Sequence, residues 1–279
     1  MSKLAFLGTG LLGSGLIESM LRRGEQVTVW NRTIAKAQAL EQFGATVTAT
    51  AADAIAGADR IHMILSDDAV VDAVLTELLP VLPKGALVID HTTTSPEGTA
   101  ARYARMEGAG IDFLHAPVFM SPDMARNSLG LLMTSGPEGV VERAQPALRP
   151  MSGEMWYLGH DPARAAAFKL FGNSMLFVIT AGLADIFAMA RHQGISATDA
   201  VSLFSKFQAG GAIKFRGEKM ARVDYSASFE LTMARKDIRL MIESAGGQPM
   251  VVLPAIARAM DEAIGRGYGK DDLGALAKD

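Results

Sequence analysis

The reading of this chain turns on KLAFLGTGLLGSG, Lys3 to Gly15. A short apolar run, Leu4 to Leu7, passes straight into Gly8-Thr9-Gly10-Leu11-Leu12-Gly13. Beyond it, Leu16, Ile17, Met20 and Leu21 recur at helical spacing. Strand, glycine turn and helix start, in that order, form the phosphate-gripping part of a dinucleotide-binding βαβ unit. Gly8 permits the tight turn, Gly10 lets the backbone approach a pyrophosphate, and Gly13 lets the helix lie close to the strand. The pyrophosphate is expected on the N–H groups at the positive end of the helix dipole, with Thr9, Leu11 and Leu12 alongside.

Working outward, residues 1–161 alternate short apolar runs with helical patterns. Strands are expected at Leu4–Leu7, Val27–Trp30, Ile61–Leu65, Leu87–Asp90, Phe113–Pro117, Leu131–Ser135 and around Trp156–Leu158. Helical stretches such as Ala35–Phe43, Ala69–Leu79 and Gly98–Glu107 lie between them. Alternation of this kind predicts an α/β domain with a Rossmann-like, doubly wound, mainly parallel sheet. From Pro162 the strand signals stop, and Ala163 to about His192 is helix-compatible throughout. A helix of that length spans roughly 45 Å and is expected to connect the two domains. Further helices near Ala197–Lys206, Leu231–Ala245 and Pro254–Gly265 make residues 162–279 an all-helical domain.

Composition narrows the classes. The chain has 279 residues, 49% hydrophobic and 20% charged, with a formal net charge of −3. No basic patch points to nucleic acid. With no cysteine, disulfides, thiolate metal sites and a Cys nucleophile are excluded, in keeping with a reducing cytoplasm. Four glycines interrupt the apolar N-terminus, which argues against a signal peptide. Gly, Asn or Asp inside the longer apolar runs argue against a membrane span. The five histidines show no ligand spacing, so no metal is expected. The sixteen methionines read as adaptable core and pocket filler.

Cofactor choice is written after the second strand. Rossmann sites that take NAD usually carry Asp or Glu there, on the ribose 2′-OH. Here Asn31-Arg32-Thr33 follows. Arg32 can pair with a 2′-phosphate while Asn31 and Thr33 hydrogen-bond to it, so NADPH/NADP is the expected cofactor.

Lys169 stands inside an apolar helical run, with Asn173 four residues later on the same face. An ammonium beside an amide can donate a proton to a developing alkoxide, and burial would bring its pKa toward neutrality. A Lys whose stem merely covers apolar surface fits the same spacing.

Together these residues resemble the β-hydroxyacid dehydrogenases, the family of 3-hydroxyisobutyrate, tartronate-semialdehyde and 6-phosphogluconate dehydrogenases. The resemblance rests on the glycine fingerprint, Met63-Ile64-Leu65-Ser66-Asp67, Asp90-His91-Thr92-Thr93-Thr94-Ser95-Pro96, Ala116-Pro117-Val118, Lys169 with Asn173, and Lys236-Asp237. It implies a Rossmann-like domain followed by a helical one, an active site in the cleft between them, and a homodimer or homotetramer built through the helical domain. It implies Lys169 and Asn173 as catalytic residues. Leu65, Ser66, Thr93 and Lys236 would bind cofactor, and Pro117, Val118, Phe119, Met120 and Ser121 would face the substrate with Lys169 and Asn173. The implied activity interconverts a small aldehyde or ketone, of semialdehyde or keto-acid type, with its alcohol or β-hydroxy acid. One departure stands out: relatives follow Ala-Pro-Val with Ser-Gly-Gly, whereas this chain has Phe119-Met120-Ser121 and then Pro122. A more apolar pocket is expected, with Arg126 as a possible replacement charge and His115 where relatives carry an acid. An imine-reductase-like enzyme is the alternative within the architecture. A non-catalytic NADPH-binding scaffold is the alternative of another class.

Overall fold

Leu4-Ala5-Phe6-Leu7, all buried, form β1. The computed structural model describes residues 3–278, in which β1 leads through the glycine turn into α1 (Leu11–Arg22) and β2 (Val27–Trp30). There follow α2 (Ile34–Gln38), β3 (Thr46–Val47), α3 (Ala51–Ile55), β4 (Arg60–Met63), α4 (Asp68–Leu78), β5 (Leu87–Asp90), α5 (Pro96–Gly108) and β6 (Asp112–His115). These six strands make one parallel sheet, in the order β3-β2-β1-β4-β5-β6. The order reverses between β1 and β4, and ligands of such sheets bind in the crevice beyond the strand ends at that point.

Side-chain alternation along the strands splits the core into two layers. Leu4, Phe6, Val29, Ile89 and Leu114 pack on one face with α1 residues Leu16, Ile17 and Met20. Ala5, Leu7, Ile61, Met63, Val88 and Phe113 pack on the other with Val71, Leu75 and Leu78 of α4. Helices on both faces confirm the doubly wound architecture.

The next strands leave that sheet. After β7 (Val118–Phe119) come α6 (Pro122–Arg126), β8 (Leu131–Thr134), α7 (Glu138–Leu148) and β9 (Glu154–Tyr157), and the three strands form a separate small sheet, β7-β8-β9. β7 pairs antiparallel with β8, and β8 pairs parallel with β9. The Leu131 and Trp156 strands are therefore present but do not extend the large sheet.

The 29-residue α8 (Arg164–His192) follows. The chain divides into two compact units at Asn173/Ser174, inside this helix. The reason is local: Ala165 is buried with Met133 and Leu158, and Phe168 packs on that cluster. The first turns of α8 thus belong with the small sheet.

The second unit contains the rest of α8, with α9 (Ala197–Ser202), α10 (Gly211–Ala221), α11 (Leu231–Ser244) and α12 (Leu253–Gly265). Leu231, Ala234 and Ile238 of α11 bury against Ala257, Met260 and Ala263 of α12. Two buried carboxylates organise it. Asp185 accepts from the N–H groups of Val251, Val252 and Leu253, capping α12. Asp272 accepts from Ser228, Phe229, Gly274 and Arg216. Burial alone would raise the Asp272 pKa, but these donors hold it far below the usual carboxylate range. By length and composition alone, α8 is able to cross a bilayer.

Candidate active site

The glycine turn is shaped by two close approaches. Gly8 has φ +102°, and a Cβ there would lie 2.1 Å from the Ile64 carbonyl oxygen. A Cβ on Gly13 would lie 2.3 Å from the Gly8 oxygen. Neither position admits a side chain without moving backbone. Around Gly10, by contrast, the space is open, and no side chain caps α1. The N–H groups at that helix end are left for an anion. The buried Thr9 Oγ1 also has no hydrogen-bond partner. An open notch, an uncapped helix end and an orphaned hydroxyl fit a dinucleotide pyrophosphate.

The turn is braced from β2. Thr9 N donates to Asn31 Oδ1 at 3.0 Å, and Asn31 Nδ2 donates to the Thr33 oxygen at 2.9 Å. Asn31 therefore ties the glycine turn to the segment that follows β2. Arg32 and Thr33 are exposed. The Arg32 charge is felt by Asp67, whose carboxyl is lowered mainly by the Val70 N–H and the Ser66 hydroxyl.

A cavity of about 310 Å³ lies at the switch point. Gly10, Leu11, Leu12 and Gly13 line it from the turn, Ile64, Leu65 and Ser66 from the end of β4, and His91 and Thr93 from the end of β5. Val118, Met120 and Lys169 complete it. The loops are tied together: Leu65 N donates to Thr92 Oγ1, Thr92 N to Asp90 Oδ1 and Ser95 N to Asp68, each at 2.9 Å.

Lys169 reaches the cavity from α8. Its ammonium donates to the Val118 carbonyl at 2.8 Å and lies 4.0 Å from the centroid of the Phe119 ring. Partial burial brings its pKa down to about 8. Asn173 follows one turn later and is half-buried.

Several expected residues sit elsewhere. Pro117 is buried behind β7, where its carbonyl accepts from Met133 N. Ser121 caps α6, accepting from Met124 N at 3.1 Å, with Pro122 as the first helical residue. Arg126 pairs with Glu18 at 3.1 Å, so it supplies no charge to the cavity. Within the second unit, Lys236 on α11 is paired with Asp237 at 2.8 Å. Ile64 and His91 line the cavity, although the sequence reading assigns neither to the site. His91 stood inside the quoted Asp90–Pro96 stretch, but its buried partner, His62, lies on another strand.

That partner completes a chain of hydrogen bonds. Arg60 Nε donates to His62 Nε2 at 2.9 Å, and His62 Nδ1 meets His91 Nε2 at 2.9 Å. His91 Nδ1 then meets the Ala116 carbonyl at 2.7 Å. Phe6 stacks on both rings. Burial lowers the His91 pKa to about 4 and, with the charges of His91 and Arg60, pushes His62 well below its ordinary value. His115 also falls to about 4 through burial, its Nε2 against the Thr92 carbonyl at 2.8 Å. Among the described residues no cluster of three or more His, Asp or Glu is placed to hold a metal ion.

The sequence profile of the NAD binding domain of 6-phosphogluconate dehydrogenase matches residues 3–159. The chain belongs to this family. Over 277 residues it is 26% identical to glyoxylate/succinic semialdehyde reductase 1 of Arabidopsis thaliana, covering 97% of this chain and 95% of that one. It is 28% identical over 244 residues to the cytokine-like nuclear factor N-PAC of Xenopus tropicalis, covering 86% of this chain but 46% of that protein. In fold it is similar to the imine reductase from Myxococcus stipitatus in complex with NADP+, with TM-score 0.90, 24% identity and 99% of each chain covered.

Proposed function

We propose that the protein is an NADPH-dependent oxidoreductase that interconverts a small aldehyde or ketone with its alcohol or β-hydroxy acid. The carrying observation is that the half-buried Lys169 ammonium and the glycine turn face one cavity. A dinucleotide held by its pyrophosphate on the turn would supply hydride from its reduced nicotinamide. Lys169 supplies the proton: its Nζ donates to the carbonyl oxygen in reduction and accepts from the hydroxyl in oxidation. A pKa of about 8 keeps both protonation states within reach near neutrality. The Val118 carbonyl fixes the nitrogen, and Asn173 is assigned the neighbouring hydrogen bond to substrate. Arg32 is assigned to the 2′-phosphate, and Lys236 is assigned as a further cofactor-binding residue.

The semialdehyde reductase relative and the NADP+-bound fold neighbour support this reading. Residues 1–161 are assigned as the NADP(H)-binding domain and 162–279 as the substrate and assembly domain. Leu176, Phe177, Val178 and Ile179 on α8 are each about half exposed or more, an apolar stretch that fits burial against a second copy. We assign a cytoplasmic homo-oligomer on that basis and on the absence of cysteine. Imine reduction is the second reading, favoured by the apolar Phe119 and Met120 beside Lys169. Following NADPH consumption over aldehydes, keto acids and cyclic imines separates the two. Binding of NADPH without turnover of any of them would instead favour a scaffold.

A further inference from the structure

Arg102 of α5 is only 1% exposed, and an arginine is seldom buried so fully without partners. Its guanidinium is a planar fork of N–H donors, and here the fork spans three carboxylates on two other elements. Nε donates to Asp72 Oδ1 at 2.9 Å and Nη2 donates to Asp68 Oδ1, both on α4. Nη1 lies 4.0 Å from Asp90 Oδ2, at the end of β5. Gly98 makes the room: a Cβ there would come within 2.3 Å of Asp68 Oδ1 and 3.1 Å of Arg102 Nη2.

Two of these carboxylates hold the loops that line the cavity. Asp68 opens α4 just after Leu65, Ser66 and Asp67, and its Oδ2 accepts from Ser95 N, just after Thr93 and Thr94. Asp90 Oδ1 accepts from Thr92 N. His115 Nε2 meets the Thr92 carbonyl, and Thr92 Oγ1 accepts from Leu65 N. The N–H, carbonyl and hydroxyl of Thr92, next to the cavity-lining Thr93, are thus all engaged. Arg102 is the charge that the two loops share, although it does not line the cavity itself. Asp90 is fully buried, whereas Asp68 and Asp72 are partly exposed. Without the guanidinium, Asp90 would be left buried beside the like charge of Asp68. A lysine offers one point charge, which cannot span the fork.

We propose that Arg102 is a positioning residue for the dinucleotide: through Asp68 and Asp90 it sets the separation of the Leu65–Ser66 and Thr92–Thr93 loops that grip the cofactor. The assignment rests on reading the cavity as the NADPH site and adds a residue on the hidden side of both loops.

The test is NADPH affinity, measured by fluorescence titration on the folded full-length chain, with a thermal melt of each sample. Arg102→Lys should raise the NADPH Kd at least about tenfold, because misplaced loops lose contacts they still possess. Asp68→Asn keeps the size of the side chain and removes one of its two acceptors, at a partly exposed position. It should raise the Kd at least about threefold, and it decides the question if the Arg102 variant does not fold. Val141→Ala, in the core beneath α7, separates positioning from general loosening. It should lower the melting temperature and leave the Kd within about twofold, since destabilisation alone does not alter the affinity of molecules that remain folded. A smaller rise in either folded variant, or a rise in Val141→Ala as large as theirs, overturns the Arg102 assignment and leaves the cofactor reading standing. Native protein that fails to bind NADPH overturns both.

Discussion

His62 Nδ1 and His91 Nε2 meet at 2.9 Å in the middle of the parallel sheet. Arg60 has only donors to offer, so His62 Nε2 accepts and His62 donates through Nδ1 to His91. His91 in turn donates from Nδ1 to the Ala116 carbonyl, two residues before the carbonyl that holds Lys169. With both nitrogens occupied, His91 shows the cavity its carbon edge, and the pair acts as a neutral strut. Because folding depresses these pKa values, the unfolded chain binds more protons as pH falls from about 6.5 toward about 4. Stability is fully present above the unfolded pKa and is lost across that window, by ~3 kcal/mol per fully protonated ring. Asp90, raised to about 6 by burial, works the other way, favouring the fold below about pH 4 and losing that contribution as pH rises through about 6. Three histidines outweigh it. Urea unfolding at pH 7 and pH 5 is expected to show a lower midpoint at pH 5, and His91→Gln should flatten that dependence.

The pKa of Lys169, lowered to about 8 by partial burial, sets a pH profile for reduction. The ammonium is the proton donor, so kcat for carbonyl reduction should fall as pH rises through about 8. Alcohol oxidation, which needs the free amine, should rise over the same range. A reduction profile flat from about pH 6 to about pH 10, roughly two units either side of the group, would remove Lys169 as the donor.

Arg32 is expected to discriminate between the two dinucleotides. Arg32→Asp should weaken NADPH by about 1.5–3 kcal/mol, roughly ten- to a hundredfold, and NADH far less. Fluorescence titration with each cofactor measures this directly, and equal weakening of both would sink the assignment.

Gly13→Ala probes the turn itself. The added Cβ meets the Gly8 oxygen at 2.3 Å and Ile64 Cγ2 at 2.9 Å, so backbone must shift. A loss of about 1–3 kcal/mol of stability is expected, together with weaker dinucleotide binding. Thermal melts with and without NADPH would report both, and a variant stabilised by NADPH as strongly as the native chain would contradict the assignment of the turn.

Much of the fold was legible because its signals are local. Leu4–Leu7, Val27–Trp30 and Leu87–Asp90 stand where the apolar runs place them, since buried parallel strands are near-continuous apolar segments. The fifth and third runs end early for a readable reason: Pro117 cannot donate to a ladder, and Ile64-Leu65 turn out of β4 to line the cavity. The two-residue β3 and β7 are too short to announce themselves. α6 is announced by Ser121 as cap and Pro122 at the first helical position, a signal that the sequence analysis passes over. Pairing is the information that sequence withholds. Nothing around Leu131 or Trp156 says that these strands form their own sheet. Nothing around His62 says that His91 is its neighbour, nor around Arg102 that Asp90 faces it.

The account stands or falls on the nitrogen of Lys169. Single-turnover reduction of a carbonyl substrate by Lys169→Met, with NADPH affinity measured on the same sample, tests it most directly. Cofactor binding close to native and a rate lower by about 10²- to 10⁴-fold is the predicted result. A near-native rate in that variant would contradict the account.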